Sequence, residues 1–225
     1  MLAPGTERLT IRVSETETVS ALLCKPERIR ACYVFAHGAG AGMNHSFMAA
    51  VSAGLAERGI ATLRYQFPFM EHGSKRPDSP PLARATVRAA VTTASSLMPG
   101  VWLFAGGKSF GGRMTSQAQA ESALARVRGL IFLGFPLHPA KKPSQERAVH
   151  LAQVNCPMLF LQGTRDELAD VALMGAVAEQ LGERATVQWV EDADHSFHVR
   201  ARSGRTDEEV LDSMLDAIVA WITEG

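Results

Sequence analysis

Gly106-Gly107-Lys108-Ser109-Phe110-Gly111-Gly112-Arg113 follows the apolar run Val101-Trp102-Leu103-Phe104-Ala105 and precedes Met114-Thr115-Ser116-Gln117-Ala118. The run before it reads as a buried strand and the segment after it as a helix, so a glycine-flanked serine sits at a strand-to-helix turn. A G-x-S-x-G elbow needs that setting. Its turn is so tight that the residues two before and two after the serine must lack side chains, which leaves the hydroxyl exposed above the sheet. Here those positions are Gly107 and Gly111. The pattern alone is a weak signal, and its flanks give it meaning.

Outward from the elbow, strand and helix patterns alternate. Toward the N-terminus, Leu9 to Val13 and Thr18 to Leu23 alternate apolar and polar residues around a polar turn, which predicts an antiparallel hairpin at a sheet edge. Ala31 to Ala36 is a continuous apolar run ending in His37-Gly38-Ala39-Gly40-Ala41-Gly42, and Phe47 to Arg58 has helical spacing. Ile60 to Tyr65 predicts a strand and Leu82 to Leu97 a helix. Between them Gln66 to Pro81 is a long, Pro-rich connection of the kind that binds ligands. Toward the C-terminus, Val127 to Phe135, Pro157 to Gln162 and Thr186 to Val190 predict strands; Ser144 to Leu151 and Val171 to Leu181 predict helices. The last helix opens on the capping box Thr206 and Glu209 and carries Val210, Met214, Ala217, Ile218, Trp221 and Ile222 on one face. This alternation predicts one α/β domain over residues 1–225, with a mostly parallel, doubly wound sheet.

Composition narrows the class. The 225 residues are 46% hydrophobic and 20% charged with a formal net charge of zero, so no global charge favours nucleic acid or an anionic membrane. Cys24, Cys32 and Cys156 lack metal-ligand spacing and read as buried thiols. The segment Met1 to Val13 lacks the apolar core of a signal peptide, and no run is long enough to span a membrane. A cytoplasmic protein is the expectation.

Just past the ends of successive predicted strands stand Ser109, Asp166 and His195, in the chain order of the α/β-hydrolase triad. A serine hydroxyl needs a base at neutral pH; His195 would take its proton and Asp166 would hold the imidazole tautomer. A developing oxyanion needs two amide donors, one from the residue after the nucleophile, Phe110, and one from the glycine loop, Ala39 or Gly40. His37, Gly40, Phe69, Lys108 and His138 are the candidate substrate contacts, His37 also being read as ordering its glycine loop. Other readings stand beside these. Asp166 could merely cap the helix that begins near Asp170, and Asp192 or Asp194 could serve the imidazole instead. Lys108 at a helix start could hold a phosphate, although the P-loop spacing is absent, and His195 with Asp192 and Asp194 offers too few carboxylates for a metal cage. His72, His138, His150 and His198 read as surface or loop residues.

Five stretches carry a resemblance: His37 to Gly42, Phe67 to Glu71, Gly106 to Arg113, Phe135 to Pro139 and Gln162 to Asp166. With them the chain resembles the dienelactone-hydrolase-like branch of the α/β-hydrolase superfamily. More narrowly, it is similar to bacterial predicted hydrolases whose eukaryotic relatives include a testis-expressed hydrolase-like protein and the third subunit of the non-specific lethal complex. The resemblance implies an α/β-hydrolase fold with little or no cap and carries over Ser109, Asp166 and His195 as the triad. Dienelactone hydrolases use cysteine where this chain has Ser109, which points away from dienelactone chemistry. The expected function is cofactor-free hydrolysis of a small-molecule ester or thioester, in a shallow site bordered by Phe67 to Asp78 and Pro136 to Pro143. A catalytically idle binding module is the alternative.

Overall fold

A computed structural model describes residues 5–224; of the N-terminal segment read above, residues 1–4 lie outside it. The hairpin forms as β1 (Thr6–Arg12) and β2 (Thr18–Cys24), its turn fastened by the Ser14 hydroxyl oxygen, which accepts from the amide of Glu17 at 3.1 Å. Six strands follow: β3 (Ala31–Ala36), β4 (Ile60–Tyr65), β5 (Trp102–Lys108), β6 (Val127–Leu133), β7 (Met158–Gly163) and β8 (Ala185–Val190). They make one eight-stranded sheet in the order β1-β2-β4-β3-β5-β6-β7-β8, antiparallel only in the β1–β2 and β2–β4 pairs.

Fully buried strands explain the unbroken apolar runs, since both faces are covered. Cys32, Val34, Leu130, Phe132, Met158 and Phe160 point to the layer of α3 (Pro80–Leu97), α4 (Phe110–Glu121) and α5 (Val171–Leu181). Their alternates Tyr33, Phe35, Ile131, Leu133 and Leu161 meet α1 (Ser46–Glu57) and α6 (Asp207–Glu224). The Thr206–Glu209 box caps α6 as the sequence predicts, the Glu209 carboxylate accepting the Thr206 amide at 2.7 Å. No helix of the described residues is long and apolar enough to cross a membrane.

The boundaries differ from expectation at informative places. β5 runs through both glycines to Lys108 and α4 begins at Phe110, so Ser109 alone separates strand from helix. Packing against the sheet overrides the poor helix propensity of Gly111 and Gly112. Inside the long connection after β4, Pro68–Glu71 forms a one-turn helix, α2. α3 starts two residues early, because prolines suit a first helical turn. The short helix after β6 is a 3-10 segment, Glu146–Gln153.

Chain order makes the site. β3 crosses through α1 to β4 on one side, and the chain then returns through α3 to β5 on the other side of β3. The carboxyl ends of β3 and β5 therefore flank the point where strand order reverses, the crevice in which open α/β sheets bind ligands.

Candidate active site

Ser109 stands at that crevice with φ 50° and ψ −116°, a conformation that L-residues rarely hold. Such strain costs of order 1–3 kcal/mol and persists only where neighbours overdetermine it. The neighbours are visible. A Cβ on Gly111 would lie 2.5 Å from the His37 carbonyl oxygen and 2.7 Å from Ala36 Cβ, and one on Gly107 would collide with the Ala36 carbonyl. The glycine requirement thus comes from contact with the end of β3.

His195, in the loop after β8, places Nε2 2.9 Å from Ser109 Oγ and Nδ1 2.7 Å from Asp166 Oδ2. Asp166 has a fully buried side chain and His195 one that is 25% exposed. The carboxylate is held from three directions. Gln162 Nε2 donates to Oδ2 at 2.6 Å and the Leu168 amide to Oδ1 at 2.8 Å, while the imidazole donates its Nδ1 hydrogen. With that hydrogen committed to Asp166, Nε2 is left as acceptor for the Ser109 hydroxyl. The arrangement can move a proton from Ser109 to His195 and stabilise the resulting imidazolium.

None of the competing acids bonds to the imidazole. Asp170 caps α5, its Oδ1 accepting the Leu173 amide at 3.0 Å, so helix capping does not need Asp166. Asp194 Oδ1 accepts the amides of Ser196 at 2.8 Å and His198 at 3.1 Å, inside its own loop. Asp192 occupies a positive-φ turn, and its amide donates to Thr164 Oγ1.

In front of Ser109 lies a cleft of about 380 Å³, lined by residues 38–41, His45, Phe47, Met48, Lys108, Leu168, His195 and Ser196. Its walls are mainly apolar: Ala39, Ala41, Phe47, Met48 and Leu168. Phe110 occupies the first position of α4, where an amide has no intrahelical acceptor. A more polar cleft of about 410 Å³ opens beside the β1–β2 hairpin, lined by Arg8, Ser20, Gln66 and Glu71 but by no histidine; its Ser20 hydroxyl donates to the Glu71 carboxylate at 2.7 Å.

The structure brings Gly40 and Lys108 to the cleft with Ser109 and His195, and it leaves His37, Phe69 and His138 outside. His37 is fully buried; its Nε2 accepts the Phe67 amide at 2.9 Å, and its Nδ1 donates to the Gly38 carbonyl at 2.7 Å. Burial pushes its pKa down to about 4, so it is a neutral brace between the glycine loop and the segment after β4. Phe69 packs inside, with its ring centroid 5.7 Å from His37 and 6.0 Å from Phe110. His138 is buried rather than on the surface, and its Nε2 accepts the Asp170 amide at 2.9 Å.

The cleft borders also differ from expectation. Residues 67–78 and 136–143 contribute no wall; Leu168 and the start of α1 do. Sequence reading missed Gln162, Phe47 and Leu168. Only Gln162 carried a signal, as a polar residue ending an apolar strand; it also accepts the Phe135 amide at 2.9 Å.

Among solved structures, the fold is similar to an alpha-beta serine hydrolase homologue from Coxiella burnetii, with 19% identity, a TM-score of 0.76 and coverage of 98% of this chain and 97% of that one. It is similar to a dienelactone hydrolase from Anabaena variabilis at 20% identity and a TM-score of 0.77, covering 97% of each chain. It also resembles XC6422 from Xanthomonas campestris, described as an α/β serine hydrolase without a lid, at 20% identity and a TM-score of 0.75, covering 98% of this chain and 97% of that one. These likenesses establish the fold. A sequence model of the alpha/beta hydrolase domain matches residues 29–223, nearly the whole chain, and with it the chain belongs to the alpha/beta hydrolase domain family.

Proposed function

We propose that this chain is a serine hydrolase that cleaves carboxylic esters or thioesters through an acyl-enzyme intermediate. One observation carries the reading: Ser109 Oγ, His195 and the buried Asp166 form one hydrogen-bonded line at the crevice, with distances of 2.9 and 2.7 Å. In the acylation step Ser109 Oγ bonds to the acyl carbon as its proton passes to His195 Nε2. The oxyanion that forms accepts from the Phe110 amide and from that of Ala39 or Gly40. His195 then protonates the departing alcohol or thiol as the bond to the acyl carbon breaks. Water, activated by the same imidazole, releases the acid and restores Ser109. These steps need no cofactor.

The apolar cleft supports an acyl group of modest size lying against Phe47, Met48 and Leu168. Within the family, the motifs quoted above favour the branch shared by bacterial predicted hydrolases. Three buried free cysteines favour a reducing, cytoplasmic setting. The test is labelling with a fluorophosphonate followed by peptide mass spectrometry. An adduct on Ser109, lost in Ser109→Ala and in His195→Ala, is the expected result; a folded protein that takes no label sinks the reading and favours an idle binding module.

A further inference from the structure

We propose that Lys108 is a positioning residue, tying the His195 loop to the nucleophile elbow so that the imidazole stays in line with Ser109. The inference rests on the serine-hydrolase reading for its catalytic meaning and on separate contacts for its geometry. Lys108 is the last residue of β5, next to Ser109, and its Nζ donates to the backbone carbonyl of His195 itself. The same ammonium stands 5.0 Å from the centre of the Phe197 ring, a cation–π distance. Phe197 in turn stacks on Phe47, centroids 5.8 Å apart at 12°, and Phe47 is a wall of the cleft. Where the stem of Lys108 passes the glycine loop, its Cγ lies 3.7 Å from the place a Gly38 Cβ would take. From the elbow, one side chain therefore reaches two of the other segments that line the cleft, the glycine loop and the His195 loop.

The His195 loop needs such a tie. Its internal bonds make a stiff turn: besides the two amides on Asp194 Oδ1, the Asp194 amide donates to the His198 carbonyl at 3.0 Å and the Phe197 amide to the Asp194 carbonyl at 2.9 Å. Those bonds lie within the turn and say nothing about where its histidine stands relative to Ser109. Flanking contacts fix its ends, Ala193 to Arg165 and Val199 to Asp207. Besides the Ser109–imidazole bond itself, Lys108 makes the contact from the elbow to the backbone of His195.

A stability role would call for a different residue. Nζ is bonded to a carbonyl oxygen rather than to a carboxylate, and burial lowers its pKa to about 8 against the opposing charges of Asp166 and Asp194. A methionine of similar length would fill the slot without that desolvation cost. A charge kept in an unfavourable place beside a reacting pair is the pattern of function held at the expense of stability.

The experiment compares wild type, Lys108→Met and Lys108→Arg by thermal melting, p-nitrophenyl acetate kinetics and proton NMR of the low-field imidazole Nδ1 hydrogen facing Asp166. Lys108→Met is expected to melt no lower than wild type. Its kcat should fall about 10- to 100-fold with KM within about twofold, because small misplacements of a reacting group carry losses of that size. Its low-field proton should broaden away, and Lys108→Arg, with donor and charge kept, should retain both kcat and the signal. A Lys108→Met protein with kcat within twofold of wild type, or with the low-field signal unchanged, overturns the proposal. So does a fall in melting temperature that accounts for the lost activity. A wild type inert toward both the ester and the fluorophosphonate overturns the underlying reading instead, and the proton signal still decides whether Lys108 holds His195 in place.

Discussion

Two serine–histidine contacts lie along α4, about two helical turns apart, and they differ in everything but distance. Ser109 meets His195 at 2.9 Å and Ser116 meets His150 at 2.7 Å. Ser116 is fully buried in mid-helix, and its hydroxyl donates its one hydrogen to the Arg113 carbonyl at 2.9 Å. The oxygen therefore accepts from Nε2–H of His150, which makes that histidine a donor where His195 is an acceptor. Burial and then the Arg113 charge push the His150 pKa down to about 4. Ser109 instead projects from a strained turn into an open cleft, with a buried carboxylate behind its histidine. A short contact is not a base–nucleophile pair; the hydrogen's direction and the group behind the imidazole decide that.

The comparison is broken most forcefully by exchanging the serines for alanine. Ser109→Ala should lower kcat on p-nitrophenyl acetate by about 10⁴-fold or more, whereas Ser116→Ala should stay within about twofold. Equal losses in the two variants would erase the distinction. Next in size is Asp166→Asn, which leaves the imidazole in place but offers it an amide; kcat should drop by about 10³- to 10⁴-fold in a steady-state assay. His150 has no such carboxylate to remove.

The third prediction concerns stability. His150 titrates near 6.5 when unfolded and at about 4 when folded, so the unfolded chain binds the extra proton between those values. The stability it contributes is complete above pH 6.5 and is lost as pH falls toward 4, with a slope of up to about 1.4 kcal/mol per pH unit, less for its partial exposure. Urea unfolding of His150→Gln between pH 7 and pH 4.5 should show a shallower slope than wild type by about one proton. His37, buried and neutral with its pKa at about 4, adds a second proton of the same sign that this variant retains. The smallest effect is expected in the fold rather than the chemistry: Ser116→Ala should cost about 1 kcal/mol of unfolding free energy at pH 7, the net worth of one hydrogen bond.

Much of this contrast was legible in the residues. Continuous apolar runs mark the central strands, buried on both faces, and alternation marks the hairpin strands β1 and β2. The order of Ser109, Asp166 and His195 past strand ends is likewise a property of sequence. What was not legible depends on contacts between distant segments. His138 looks like a loop residue because periodicity carries no information about the Asp170 amide that it accepts, and His37, read as ordering its glycine loop, gives no sign of the Phe67 amide that it also accepts. The cleft wall was assigned to the Pro-rich segment after β4, but that segment folds α2 against the core through Phe67 and Phe69, which leaves the wall to the start of α1 and to Leu168. Length and polarity marked residues 66–81 as a loop and could not say which way it turned.

Ala36 has a consequence for how such sequences can vary. Its methyl lies 2.8 Å from a Cβ on Gly107 and 2.7 Å from one on Gly111, so three positions that are distant or merely near along the chain share one small volume. Enlarging any one of them closes space that the other two already use. Because each Cβ also meets a backbone carbonyl that no change at 36 removes, positions 107 and 111 should stay glycine across related sequences, and a single-site saturation library at the three should return only the smallest side chains among its active members.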